Sequence, residues 1–221
     1  MIDPTVFIVD DDDAVRDSLR YLLESADMRV EDFASAEAFL EVYSPYRVGC
    51  LLLDIRMPGM SGMELLERLA ERKYFLPIII ITGHGDVSLA VRSIKTGAFD
   101  FIEKPFNTDD VLARVNAGIA LDQKYRYERL AHDAVEARIS NLTPRERQVL
   151  DLVISDHSNK QIAQTLGVSI KTVEFHRARV MEKMHADSLL HLSQMVRDVL
   201  PGGKPTPAEI SDDPQQLGMA R

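Results

Sequence analysis

Four consecutive carboxylates, Asp10 to Asp13, follow the apolar run Thr5–Val9. Stacked like charges raise the cost of ionising one another, so such a run calls for a counter-charge. Mg2+ supplies one, because this hard cation takes oxygen ligands and is held by one or two carboxylates together with phosphate oxygens. The competing reading is a solvated first helical turn, where acids complement the dipole. Three further polar residues stand behind apolar runs: Asp54 after Cys50–Leu53, Thr82 after Ile78–Ile81, and Lys104 after Phe99–Ile102. Carboxylates attack phosphorus as nucleophiles. Metal and ammonium neutralise charge on a phosphoryl group in transfer. These residue types therefore suit a pocket in which Asp11 and Asp54 hold Mg2+ with Asp10 nearby. Asp54 is then the candidate phosphoryl acceptor, with Lys104 and Thr82 on phosphoryl oxygens. The rival is a structural carboxylate cluster salt-bridged to Lys104.

Elements must bring these positions together. Short β-rich runs at Val6–Val9, Cys50–Leu53, Ile78–Ile81 and Phe99–Ile102, with a weaker one at Met28–Phe33, alternate with helical patterns. Val15, Leu19, Leu22, Leu23 and Ala26 recur at helical spacing, as do Val87, Val91 and Ile94, and Gly97 stands where a helix C-terminal glycine belongs. Apolar strands separated by helices predict a doubly wound five-stranded parallel sheet covered on both faces. In such folds the ligand site lies at the carboxyl ends of the strands. That is where Asp10, Asp11, Asp54, Thr82 and Lys104 fall.

The remaining chain reads differently. Residues 1–120 carry 12 Lys and Arg against 21 Asp and Glu, whereas residues 141–200 carry 8 against 7. This asymmetry predicts two domains with different partners. No apolar stretch approaches the roughly 20 residues of a membrane span, and the start lacks signal-peptide regions. The single cysteine, Cys50, lies in an apolar strand pattern and is expected to be buried and inert, in keeping with a cytoplasmic location.

From Thr108 to Arg138 the pattern is helical, with the stripe Leu112, Val115 and Ile119, and Gly118 as its weak point. One helix of roughly 45 Å fits, ending in a solvated connector over 121–138 that pairs with a partner chain. Thr143-Pro-Arg-Glu146 and Ser158-Asn-Lys-Gln161 are capping boxes. Helix Ser158–Leu166, turn Gly167-Val-Ser169 and helix Ile170–Met184 have the lengths of a helix-turn-helix, an all-α unit over 139–200. Val173, Val180 and Met184 mark its buried face. Lys171, Glu174, Phe175, Ala178 and Glu182 then point outward, with Lys171, Arg177, Arg179 and Lys183 as a cationic rim for phosphates. Residues 201–221 read as a disordered tail.

Several of these segments carry a family resemblance. Val9-Asp10-Asp11, Leu53-Asp54-Ile-Arg-Met-Pro58-Gly59, Thr82-Gly83 and Lys104-Pro105-Phe106 resemble the signature of two-component receiver domains over residues 1–120. The resemblance implies that a sensor histidine kinase phosphorylates Asp54. It implies Mg2+ on Asp10, Asp11, Asp54 and the Arg56 carbonyl, with Thr82 moving to the phosphoryl group and Phe101 as the aromatic switch. Arg56 and His84 lie two positions after Asp54 and Thr82, a spacing that would let both overhang that group, the rival for His84 being a solvent-exposed loop residue. Leu142–Leu150, Asn159-Lys-Gln-Ile-Ala163 and Lys171-Thr-Val-Glu-Phe-His176-Arg177 are similar to LuxR-type DNA-binding domains. The combination resembles NarL/FixJ-type response regulators, nearest the FixJ branch. By that likeness Glu174, Phe175 and Ala178 approach base edges in double-stranded DNA. Lys171, Thr172, His176, Arg179 and Lys183 hold phosphates, helped by Asn159 and Lys160.

The expectation is a cytoplasmic, phosphorylation-activated transcription regulator, homodimeric when phosphorylated, with RNA polymerase as a further candidate partner. Its only catalysis is self-directed. One rival is a Mg2+-dependent phosphatase with an aspartyl nucleophile, but such enzymes carry a second acid where this chain has Arg56. The other is a phosphorylation-independent dimerisation module, against which the set Asp54, Thr82 and Lys104 argues.

Overall fold

The structure is a computed structural model that describes residues 3–71, 75–83, 87–197 and 199. The expectations for His84 and for the tail 201–221 lie outside the described residues. The chain divides into a first unit running to Arg126 and a second beginning at Tyr127.

In the first unit β1 (Thr5–Val9), β2 (Arg29–Phe33), β3 (Gly49–Asp54), β4 (Ile78–Thr82) and β5 (Asp100–Glu103) pair in parallel in the order β2-β1-β3-β4-β5. Helices α1 (Asp13–Ser25), α2 (Ala36–Val42), α3 (Gly62–Glu71), α4 (Val87–Thr96) and α5 (Thr108–Ser140) follow the strands. Alternation along the strands divides the core. Phe7, Val9, Leu51, Leu53, Ile78 and Ile80 meet Phe39 of α2 and Leu65, Leu66 and Leu69 of α3. Val6, Ile8, Cys50, Leu52, Ile79 and Ile81 meet Leu19 and Leu23 of α1 and Val111 and Val115 of α5 on the other face. Strand order reverses between β1 and β3, and that is the crevice where such sheets take their ligands.

Helix α4 departs from its apolar stripe. Among its described side chains Ala90 and Ser93 are buried, while Val91 is 49% and Ile94 37% exposed. Small side chains let α4 lie close to the sheet, so the larger aliphatic residues face outward.

Helix α5 is continuous over 33 residues. Gly118 is a contact rather than a weak point: a Cβ there would lie 3.2 Å from Cys50 Cβ. The expected solvated connector is packed at its start. Asp122 is fully buried and accepts the Gly49 N–H at 2.8 Å. Arg126 donates through Nε to that carboxylate and through its other nitrogens to the Pro45 and Arg47 carbonyls. Tyr125 stacks on Phe75 with ring centroids 3.9 Å apart. Charged and polar letters in this stretch hid partners that only the tertiary fold supplies. Beyond it Tyr127 and Leu130 are exposed, and Val135 and Ile139 join the core of the second unit.

The second unit holds α6 (Pro144–Ile154), α7 (Asn159–Leu166), α8 (Ile170–Met184) and α9 (Leu189–Arg197) around Val149, Leu150, Ile162, Val173, Val180, Met184 and Leu192. Both capping boxes are formed, Thr143 with Glu146 and Ser158 with Gln161. Gly167 closes α7 in the left-handed region, the conformation for which glycine carries no steric cost.

Candidate functional site

The strand-end residues converge at the β1/β3 crevice. Asp10 and Asp54 are almost fully buried, and the Lys104 ammonium bridges them, 2.8 Å from Asp10 Oδ2 and 2.7 Å from Asp54 Oδ1. Their second oxygens accept backbone N–H groups, Asp12 to Asp10 Oδ1 at 2.9 Å and Arg56 to Asp54 Oδ2 at 2.6 Å. Thr82 is buried at the end of β4, its hydroxyl donating to the Gly83 carbonyl at 3.3 Å. The Lys104 N–H continues the ladder to the Thr82 carbonyl at 2.7 Å, just before a cis Lys104–Pro105 bond. Phe101, on β5, is 40% exposed.

The four-carboxylate run splits its tasks. Asp10 turns inward while Asp11 stays exposed beside it. Asp12 is the N-cap of α1, accepting the Ala14 and Val15 N–H groups, and Asp13 lies in the first turn, paired with Arg16. The metal reading and the helix-start reading thus each fit two of the four.

Burial raises the Asp54 carboxyl above the usual carboxylate range, opposed by the Lys104 hydrogen bond and reinforced by the charge of Asp10. Burial also pulls on Lys104, but its hydrogen bonds to Asp10 and Asp54 prevail and raise it. Among the described residues one ammonium, Lys104, bridges two buried carboxylates. The carboxylate oxygens of Asp10 and Asp54 are of the kind that suits a hard divalent cation.

Arg16 escaped the sequence reading. Its Nη1 donates to the Asp10 carbonyl at 2.7 Å and its Nε lies 3.4 Å from Asp32 of β2. Its spacing of three from Asp13 was the only available signal.

In the second unit α8 presents Lys171, Glu174, Phe175, Ala178, Arg179 and Glu182 outward, as its periodicity predicts. Lys160 is exposed at the start of α7, while Asn159, Thr172 and His176 are half-buried. Arg177 donates to Asn159 Oδ1 at 2.6 Å, leaving the Asn159 amide nitrogen as a donor. The ion pairs of α8 among the described residues join Arg179 to Glu182 and Lys183 to Glu146, so Glu174 takes no partner along its own helix. Lys183 corrects the expected phosphate rim. Its ammonium lies 2.7 Å from buried Glu146 and 3.3 Å from the Asn141 carbonyl, so it serves the fold. That pairing holds the Glu146 carboxyl down at about 2, helped by the Thr143 N–H.

Comparison with known proteins gives a family match for each part of the chain. Residues 6–116 match the response regulator receiver domain family, and residues 140–196 match bacterial regulatory proteins of the luxR family. The transcriptional regulatory protein FixJ of Azorhizobium caulinodans is 46% identical over 204 residues, 91% of this chain and 97% of that protein. FixJ of Rhizobium meliloti is 47% identical over 205 residues, 92% and 98% of the two chains. Among solved structures, the response regulator StyR matches with a TM-score of 0.81 and 46% identity, over 89% of this chain and 99% of that one. With its receiver and LuxR-type domains both matched, this chain belongs to the FixJ-like, phosphorylation-activated transcriptional regulators.

Proposed function

We propose that Asp54 is the phosphoryl acceptor, within a receiver over residues 1–120 that controls a DNA-binding unit over 139–200. The carrying observation is the Lys104 ammonium held between the Asp10 and Asp54 carboxylates at the strand-order reversal. An Asp54 oxygen attacks phosphorus, and the new O–P bond forms as the P–N bond to the kinase's histidine breaks. The departing imidazole keeps the electron pair and takes up a proton. Lys104 then exchanges a carboxylate contact for a phosphoryl oxygen, and the Thr82 hydroxyl turns from Gly83 toward another. Mg2+ on Asp10, Asp11, Asp54 and the Arg56 carbonyl would supply the remaining positive charge as phosphoryl oxygens gather. Water later attacks phosphorus and releases phosphate, the chain's only turnover.

Phe101 lies exposed beside the pocket's Lys104 strand, where a move of Thr82 changes the surface it presents. Val91 and Ile94 on α4 are exposed with it, an apolar strip suited to a second phosphorylated copy. At the DNA end, Glu174, Phe175 and Ala178 face base edges. Asn159, Lys160, Lys171, Thr172, His176 and Arg179 surround them. RNA polymerase is the partner that a bound activator would engage, and the chain works in the cytoplasm with its DNA.

The test is intact mass after incubation with acetyl phosphate and Mg2+. Wild type gains one phosphoryl group and Asp54→Asn none, since an amide is a poor nucleophile, and DNA affinity rises only in wild type. Full labelling of Asp54→Asn overturns the assignment.

A further inference from the structure

Four of the eight Lys and Arg residues over 141–200 are tied to groups of the unit itself. Arg145 donates to the Leu166 carbonyl, Arg147 pairs with Asp151, Arg177 holds Asn159 and Lys183 holds Glu146. Arg179 is different. It shares the outward face of α8 with Glu174, Phe175 and Ala178, and its partners lie on that same face. Its guanidinium carbon stands 5.7 Å from the centroid of the Phe175 ring, one helical turn back. Its Nη1 donates to Glu182 Oε2 at 2.8 Å, one turn forward.

A ring on one side and a carboxylate on the other restrain the guanidinium on this face. The fork can engage a phosphate or a base edge bidentately, and its place on the face with Glu174, Phe175 and Ala178 favours the base edge. Glu182 also removes part of the net charge that would favour phosphate, while leaving donor N–H groups on the guanidinium. Ala178, adjacent on the same face, has no side chain long enough to hold the helix away from base edges.

We propose that Arg179, steadied by Phe175, reads a guanine in the major groove through its O6 and N7 acceptors, and so sets sequence specificity rather than neutralising phosphate. The inference rests on the DNA-binding reading above and deepens it. Phe175 is then a positioning residue that acts through Arg179, in addition to any contact of its own with a thymine methyl.

The experiment selects binding sites from random double-stranded DNA with the full chain, phosphorylated by acetyl phosphate with Mg2+. Wild type, Arg179→Lys and Phe175→Leu are compared. Wild type should return a motif with a fixed G·C pair. Arg179→Lys keeps the charge but loses the fork, so preference at that pair should fall roughly 5- to 150-fold. Its affinity for non-specific DNA should stay unchanged. Phe175→Leu should relax preference at the same pair to a smaller degree. If Arg179→Lys returns the wild-type motif undiminished, Arg179 is a phosphate contact and the inference falls. If wild type selects no motif at all, the DNA-binding reading itself fails, which is a separate result.

Discussion

Asp10 owes its orientation to three groups outside its own side chain: the Asp12 N–H and the Lys104 ammonium on its carboxylate, and the Arg16 guanidinium on its carbonyl. Removing Arg16 leaves a buried carbonyl without its donor, and Asp32 with Arg20 alone. Arg16→Ala should therefore cost about 1–3 kcal/mol in urea unfolding and slow phosphorylation through misplacement of Asp10. Asp11→Ala is the contrast. Asp11 is exposed, so its loss should leave urea stability within about 0.5 kcal/mol of wild type and weaken Mg2+ binding in a titration. Unchanged Mg2+ affinity would make Asp11 part of a solvated charge run. At this scale the sequence was legible wherever a polar residue ended an apolar strand, because strand ends in a parallel sheet must converge. Asp10, Asp54, Thr82 and Lys104 were found that way. Arg16 was not, since a helix arginine near acids looks like any surface ion pair. Lys183 was misread for the same reason: its partner Glu146 lies 37 positions away in sequence.

Helix ends and crossings carry the next level. Glu146 closes the start of α6 by accepting the Thr143 N–H and also binds Lys183 of α8, so one carboxylate fastens two helices. Its folded-state pKa is depressed from the usual 4.5 to about 2. The stability it gives is therefore present above pH 4.5 and is lost as pH falls toward 2. Glu146→Gln keeps the cap's acceptor but cannot titrate. Thermal unfolding of this variant should lose about 2 kcal/mol at neutral pH and show a flatter fall over that acid window. A pH profile superimposable on wild type would assign the acid sensitivity elsewhere. Gly62 poses the steric counterpart at the start of α3, where an added Cβ would lie 2.1 Å from the Asp54 carbonyl oxygen. Gly62→Ala must displace the backbone of Asp54, the proposed phosphoryl acceptor, so a loss of stability and of acetyl phosphate labelling should appear together. Helix α4 shows where pattern reading stops. Its apolar period was real, but Ala90 and Ser93 won the sheet side because close approach favours small residues.

Across the molecule, charge divides as the two partners require. The acidic first unit brings two buried carboxylates together at its pocket, so Mg2+ should stabilise it by mass action. At ten times its Kd the gain is about 1.4 kcal/mol. Cys50 is the chain's single cysteine, fully buried, with its thiol pushed up to about 12 by burial. Thiol labelling therefore follows opening of the first unit alone, and Mg2+ should slow it in wild type but much less in Asp11→Ala. The cations of the second unit lead to a different consequence. With Lys183 and Arg177 turned inward, Lys160 and Lys171 are the lysines of α7 and α8 that remain exposed to displace condensed counterions from a duplex. Two such contacts per unit give a log–log salt slope near −4 for a dimer, so affinity should fall about a hundredfold between 50 and 200 mM salt, less than for binders with six or more phosphate contacts. Lys171→Ala should lower that slope by about 1 per unit, whereas Lys183→Ala should leave it unchanged and destabilise the helix pair instead. A regulator built this way senses the ionic climate of the cell less sharply than one with more phosphate contacts.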